Sequence, residues 1–261
     1  GDNTLKDTNN LRTTVVNNLS YQSNDFISNL GFKNNFGLYF RNLNSIGKND
    51  DIYTSRAQVD GMNIFKFDTT YPLLKSNNLS QETLTPKISF RMNPANNMND
   101  YSETSTAINA NNVFDLNRLG ISNDYEAGRS LTFGLDYKFD QIEINQSEDT
   151  KDKYLELKLA TVIRDQNEND IPISSTINRK TSDIFGSINN NLFNNVNISY
   201  DFSLDNDLQT LNSNSINTEI NINNFVTSFN FIETRNELGS THLLSNTTEY
   251  KIDDSKSLKF S

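Results

Sequence analysis

The sequence predicts an all-β protein: an antiparallel, up-and-down transmembrane β-barrel segment of about fourteen strands. Three observations predict this. First, Leu131, Phe133, Leu135, Tyr137 and Phe139 alternate with Thr132, Gly134, Asp136 and Lys138, a two-residue period with one apolar and one polar face. A run of that length suits a tilted strand crossing a bilayer. Second, helical periodicity is nearly absent, and short turns tend to alternate with longer polar loops. Third, only 34% of residues are hydrophobic, yet the chain holds 17 Phe and 10 Tyr. Low hydrophobicity with a net charge of −10 also fits disorder, but a disordered chain would not carry so many aromatics. A polar lumen and polar loops dilute the apolar count in the same way.

Taken in order, Leu11, Thr13, Val15, Leu19 and Tyr21 mark a first strand. Phe26 to Phe32 reads as a second. Asn34-Asn35 reads as a turn into a third at Phe36, Leu38 and Phe40, and residues 42–51 as a polar loop. Strands are expected over 52–60 and 62–71, and a turn over 77–80. Ile88, Phe90 and Met92 alternate with Lys87, Ser89 and Arg91. Residues 93–112 lack periodicity and read as a long outside loop. Residues 113–129 read as a polar turn feeding the strand at 130–139. Ile142 and Ile144 begin a return through a charged turn at 148–152, and Leu155, Leu157 and Leu159 alternate. Residues 164–180 read as polar loop. Ile184 to Ile188 leads to a turn at Asn189-Asn190-Asn191. Val196 to Leu204 alternates without error, and Asp205-Asn206-Asp207 is a turn. Ile216 to Ile222, a tight turn at Asn223-Asn224 and Phe225 to Phe231 form a hairpin. Residues 233–240 read as loop, and Leu244 to Ile252 closes the series.

Composition excludes several classes of function. With no Cys, thiol catalysis, thiolate metal sites and disulfides are excluded. His242 is the single histidine, so no triad or cluster built on several histidines exists. Residues 165–170 look like a calcium loop only superficially, since the sixth-position Gly and twelfth-position Glu are lacking. No cofactor is expected. The acidic balance argues against nucleic acid. Residues 1–10 are polar with no apolar signal segment, and Ser257 to Phe260 begins an alternating strand at the chain's end. The expectation is an internal piece of a longer protein, with residues 1–261 as one partial β-barrel domain without its signal peptide.

Residues 112–140 also carry a family resemblance. Phe114, Leu116, Asn117, Arg118, Leu119, Gly120, Asp124, Glu126, Gly128, Arg129, Phe133, Gly134, Leu135 and Tyr137 resemble the barrel motif of the LPS-assembly outer-membrane protein family, LptD or OstA. Three departures stand out: Leu119 for an aromatic, one extra residue before Asp124, and Tyr125 where an Arg follows the Asp. Tyr71-Pro72-Leu73 and Leu84-Thr85-Pro86-Lys87 resemble upstream landmarks of that family. Arg179-Lys180-Thr181-Ser182-Asp183-Ile184-Phe185-Gly186 resembles a downstream strand start. The match is ordered and spans residues 71–188.

The resemblance implies transport of lipopolysaccharide and its insertion into the outer leaflet of the outer membrane, without catalysis. It implies a barrel of roughly 26 strands, so that about fourteen strands here would be an incomplete barrel, an open and curved sheet, and residues 1–261 a partial outer-membrane β-barrel domain without the family's periplasmic N-terminal domain. It implies outer-membrane lipid around the barrel, an LptE-like plug lipoprotein and an LptA-like periplasmic bridge protein as partners. The motif positions Asn117, Arg118, Gly120, Asp124, Glu126, Gly128, Arg129 and Gly134 are then structural or lumenal. Asp115, Arg118, Asp124, Glu126 and Arg129 could equally form a lumenal charge network or a salt-bridged loop closing a strand end. A passive diffusion porin or receptor-type barrel is the alternative reading, and a soluble or surface-attached β-sheet adhesin is the second.

Overall fold

Why the chain is all strand follows from its two-residue periods, and the computed structural model bears this out. It describes residues 2–6, 10–51, 53–95, 107–120, 125–142, 153–169, 171–236, 239–253 and 256–261. The strands are β1 (Asp2–Lys6), β2 (Asn10–Gln22), β3 (Phe26–Ile27), β4 (Lys33–Lys48), β5 (Gln58–Thr70), β6 (Leu73–Ser76), β7 (Ser80–Asn93) and β8 (Gly128–Gln141). There follow β9 (Lys153–Arg164), β10 (Ile184–Phe193), β11 (Val196–Leu204), β12 (Leu211–Ile222), β13 (Phe225–Asn236), β14 (Gly239–Asp253) and β15 (Lys256–Phe260). All belong to one 15-stranded antiparallel sheet. Sequence neighbours pair throughout, except that the short β3 and β6 lie off the path, against β4 and β7.

Up-and-down connection sorts the loops by end. The two-residue turns at 194–195 and 223–224 lie at one end, and the long connections 94–127 and 165–183 at the other. Among the described residues no helix is long and apolar enough to cross a membrane, which says nothing of crossing by strands.

The period of two also sorts the faces. One face, here called open, exposes Leu19, Leu38, Phe40, Ile88, Leu131, Phe133, Leu135, Leu159, Ile216 and Phe229. The register places these residues opposite one another: Ile88 faces Phe133, and Leu135 faces Leu159. On β8 this apolar row runs from Leu131 to Phe139, about 27 Å along the strand at ~3.4 Å per residue, close to the ~25 Å apolar band of an outer-membrane barrel. The other face is polar and covered. It buries Arg41, Ser89, Arg91, Ser130, Thr132, Arg164, Ser187 and Ser203.

The cover comes from two loops. A strap at 107–120 contributes Ile108, Ala110, Val113 and Leu119, and the 165–183 loop contributes Ile171 and Ile177. They close on Ala160 and Val162 of β9 and Phe185 of β10. This small core, at roughly 1.5–3 kcal/mol per large side chain, seats both loops on the polar face. A 3-10 turn over Ile173–Ser175 completes the second loop.

Several expectations are corrected. Asn34-Asn35 is no turn: β4 runs unbroken from Lys33 to Lys48 and absorbs much of the predicted 42–51 loop. Its polar residues pair instead with β2 and β5, Asn42 opposite Asn17 and Asn44 opposite Val15. The predicted strand over 26–32 shrinks to Phe26–Ile27, because the chain turns at Gly31 with φ 88. The strands expected over 52–60 and 62–71 merge into β5, with Gly61 inside it. Asn189 to Asn191 stay in β10, where Asn189 and Asn190 pair with β9 and β11, and the turn falls after Phe193. Residues 233–236 extend β13 and β14 begins at Gly239, so the 233–240 loop is mostly strand. At Asn34-Asn35, Asn42, Asn44, Asn189-Asn190 and Glu233 a residue that favours turns sits instead in a paired strand. The charged turn at 148–152 lies outside the described residues.

Candidate functional site

The strongest concentration of charge on the covered face is built from four segments. β7 supplies Arg91, the strap supplies Arg118, the short run before β8 supplies Glu126, and the last residue of β9 supplies Arg164. Each is at most 4% exposed. Register aligns them: Arg91 lies opposite Ser130, and Ser130 opposite Arg164. A charged residue at the polar phase of an alternating strand points to this face, so the strand pattern brings these guanidinium groups together.

Glu126 is the hub. Arg118 donates from Nε to Glu126 Oε2 at 2.7 Å and from Nη2 to Oε1, a bidentate pair. Arg164 donates from Nη2 to the same Oε1 at 2.7 Å, and Arg91 Nη1 lies 3.2 Å from it. The backbone carbonyl of Glu126 accepts from Arg91 Nη1 at 2.7 Å and Asn93 Nδ2 at 3.1 Å. Arg118 further donates to Thr132 Oγ1 and Ser130 Oγ, both at 3.0 Å, and to the Val113 carbonyl at 3.2 Å. Arg164 donates to the carbonyls of Ile177 at 2.5 Å and Ala127 at 3.1 Å. One carboxylate thus ties the strap, the 165–183 loop and three strands. Burial alone would raise the Glu126 carboxyl, but the charges of Arg118, Arg91 and Arg164 override it and hold the group below the usual carboxylate range.

A second pin sits at the far side of the 165–183 loop. The Asp183 side chain is fully buried and accepts from Arg179 Nη2 at 2.7 Å, Ser203 Oγ at 2.6 Å and Asn212 Nδ2 at 2.7 Å. Beside it, Ser182 Oγ accepts from the Val162 amide at 2.9 Å.

The sequence-predicted residues divide as follows. Arg118 and Glu126 meet in the hub. Gly128, at φ 85, starts β8 beside it, where an added Cβ would also meet the Glu168 carboxylate. Gly134 lies under the ring of Phe114, whose Cζ would be 2.5 Å from an added Cβ. Gly120, at φ 64, closes a turn in which its amide donates to the Asn117 carbonyl at 3.2 Å. Arg129 stands apart, in an exposed pair with Asp165 at 3.2 Å. Asp115 is exposed. Asp124 lies outside the described residues. The motif stretch 113–120 is therefore no polar turn: it is a folded strap with Val113 and Leu119 in the core. Sequence reasoning missed Arg91, Arg164 and Asp183 as partners. Their signal was present, since Arg91 and Arg164 fall on the polar phase of their strands.

A protein-family model described as LPS transport system D, LptD, matches residues 35–255, well over half of the chain. The matched region takes in β5 to β14 whole, the strap, the Glu126 hub and Asp183. No curated protein matches the chain.

Proposed function

This chain belongs to the LPS transport system D family, a family of transport and assembly proteins, and we propose that it forms part of the barrel wall through which lipopolysaccharide reaches the outer leaflet of the outer membrane. The family and the antiparallel sheet together support a transport-related, outer-membrane role. The observation that carries the finer reading is the inverted arrangement of the faces. Large apolar residues stand exposed on one face, while charged and hydroxyl side chains are buried on the other. A soluble protein hides its apolar face; a barrel in lipid shows it. On this reading the covered face looks into the lumen, and the strap and the 165–183 loop fold inward from the long-loop end.

In this proposal residues 1–261 are a portion of a larger barrel, since an open sheet edge is not tolerated in hydrocarbon and further strands must pair with it. The partners we propose are an LptE-like plug lipoprotein within the lumen and an LptA-like bridge protein on the periplasmic side. The motif residues Arg118, Glu126, Gly128 and Gly134 are proposed to hold the strap against the lumenal wall; Asn117 and Gly120 are proposed to shape its last turn, and Arg129 to tie the start of β8 to Asp165. The test is depletion of the full-length protein followed by assay of surface lipopolysaccharide. Loss of surface lipopolysaccharide with its build-up inside the envelope is expected. Normal surface lipopolysaccharide with altered small-solute uptake would overturn the reading in favour of a diffusion porin.

A further inference from the structure

The apolar belt of the open face has a slope, and the slope sets where it ends. Taking the long-loop end as up, the belt stops at Leu131 on β8, because Arg129 above it is exposed in its pair with Asp165. Towards β13 this upper edge steps down. Leu204 on β11 lies opposite Leu211, yet on β12 and β13 the apolar row begins only at Ile216 and Phe231, with Asn214 opposite Glu233 above them. A barrel strand tilted by about 35–45° produces such a drift, roughly one residue per strand crossed. On the other side of β8 the same tilt raises the edge. The register carries Leu131 to Phe90, Phe67 and Phe36 on β7, β5 and β4. A rise of about one residue per strand places the edge near Phe65 on β5, Phe40 on β4 and Leu19 on β2, which lies opposite Phe40.

These three strands do not stop at the edge. Open-face positions above it are Asn17, Val15, Thr13 and Leu11 on β2, Asn42, Asn44, Ile46 and Lys48 on β4, and Asn63, Gly61 and Val59 on β5. From Phe40 to Lys48 the extension runs about 27 Å along the strand at ~3.4 Å per residue. A second observation marks the same level, because the two faces exchange character there. Below it the covered face of β4 and β5 is polar, with Asn35 opposite Asp68 and Gly37 opposite Lys66. Above it the covered face takes Leu43, Met62 and Ile64, each at most 4% exposed, beside Arg41 and Ser45. The open face changes the opposite way, from Phe36, Leu38, Phe65 and Phe67 to the amides of Asn17, Asn42, Asn44 and Asn63. Each apolar residue left on it stands opposite a polar one: Val15 and Val59 opposite Asn44, Ile46 opposite Thr13, Leu11 opposite Lys48. A sheet with apolar residues inside and amides outside is built to face water, whereas the belt beneath it is built to face lipid.

We propose that β2, β4 and β5 rise past the acyl chains at the long-loop end, and that their outer face above Leu19, Phe40 and Phe65 meets the hydrated headgroups of the outer leaflet. The proposal rests on the open face being lipid-facing below that level. Long loops mark the outer side of such a barrel. The extension continues the belt on the same strands, so the first layer it enters above the hydrocarbon is the headgroup layer.

Val59 decides between the two placements: it is apolar and 71% exposed, so its chemistry alone assigns it to lipid, while the slope of the belt assigns it above. The experiment uses the full-length protein in intact cells, with Val59→Cys, Leu38→Cys and Leu135→Cys made singly. Each is treated with a charged, membrane-impermeant maleimide and, separately, with a lipid-soluble one. Labelling is read as the gain over the unsubstituted protein, since this stretch brings no cysteine of its own. The expected result is labelling of Val59→Cys by the charged reagent, and of Leu38→Cys and Leu135→Cys by the lipid-soluble reagent alone. Val59→Cys reacting only with the lipid-soluble reagent puts the extension in hydrocarbon and overturns the proposal, leaving the lipid-facing reading intact. Val59→Cys reacting with neither means that protein covers this face, which also overturns it. Leu38→Cys reacting with the charged reagent moves the edge below Phe40 and overturns the placement. Leu135→Cys reacting with the charged reagent, or with neither, overturns the lipid-facing reading and the proposal with it. Headgroup contact has its own readout in phosphatidylcholine vesicles holding the full-length protein. A fluorophore on Val59→Cys should lose more emission to a nitroxide on the lipid headgroup than to one at the middle of the acyl chain, and one on Leu135→Cys the reverse. Quenching of Val59→Cys by neither lipid overturns the headgroup contact.

Discussion

Glu126 faces three guanidinium groups with one carboxylate, so its removal leaves Arg118, Arg91 and Arg164 buried around an empty centre. Breaking a buried pair from one side typically costs about 3–5 kcal/mol. Glu126→Gln keeps the shape and removes the charge, and is expected to lower the unfolding free energy obtained from urea titration by an amount in that range. The pH dependence has a definite sign. The folded carboxyl titrates below its unfolded value of about 4.3. Its contribution is therefore complete above that value and is lost as pH falls through the folded one. Wild-type protein should lose stability progressively below about pH 4, and Glu126→Gln should flatten that acid limb. An unchanged acid limb would place the stabilisation elsewhere. Gly134 gives a steric counterpart. A side chain there meets the Phe114 ring, so Gly134→Val should displace the strap at about 1–3 kcal/mol, while Phe114→Ala in the same chain should relieve the clash.

Among the elements, the 165–183 loop is pinned at its exit by one buried carboxylate. Asp183 holds Arg179 of the loop to Ser203 of β11 and Asn212 of β12. Asp183→Ala should free the loop while the ladder of β9 with β10 persists, because six paired positions remain. Hydrogen exchange checks this: the Ile171 and Ser175 amides should lose protection, and the Ile188 amide should keep it. Loss of protection at Ile188 as well would show that loop and sheet melt together. The same scale explains what was legible beforehand. Val196 to Leu204 and the Asn223-Asn224 turn were readable to the residue, because alternation and turn chemistry agree there. Asn42, Asn44, Asn189 and Asn190 point to loop in the sequence, since Asn favours turns. Cross-strand partners overrode that preference, a fact that only the register holds. Likewise Arg118 and Glu126 were visible as a charged motif, but their closure by Arg91 and Arg164 depends on pairing across strands 35 and 38 residues away from Glu126.

Across the whole molecule, the two faces make opposite demands, and one substitution distinguishes the environments they imply. In water, an Arg on an exposed sheet face is close to neutral, because the side chain is already solvated. In a bilayer the cost depends on depth: about 2–4 kcal/mol at the midplane and about 0–1 near the interface. Leu135 stands in the middle of the β8 belt and is 40% exposed, and Gln141 ends the same strand on the same face. Leu135→Arg in the full-length protein should therefore reduce the amount assembled in the outer membrane sharply, while Gln141→Arg should leave it near wild type. The measurement is the fraction of heat-modifiable, membrane-extracted protein for each variant. The contrast follows from depth alone, since both changes put the same charge on the same face of the same strand. Equal assembly of the two variants would mean that the open face meets water or protein, and the lipid-facing assignment of the sheet would fall with it.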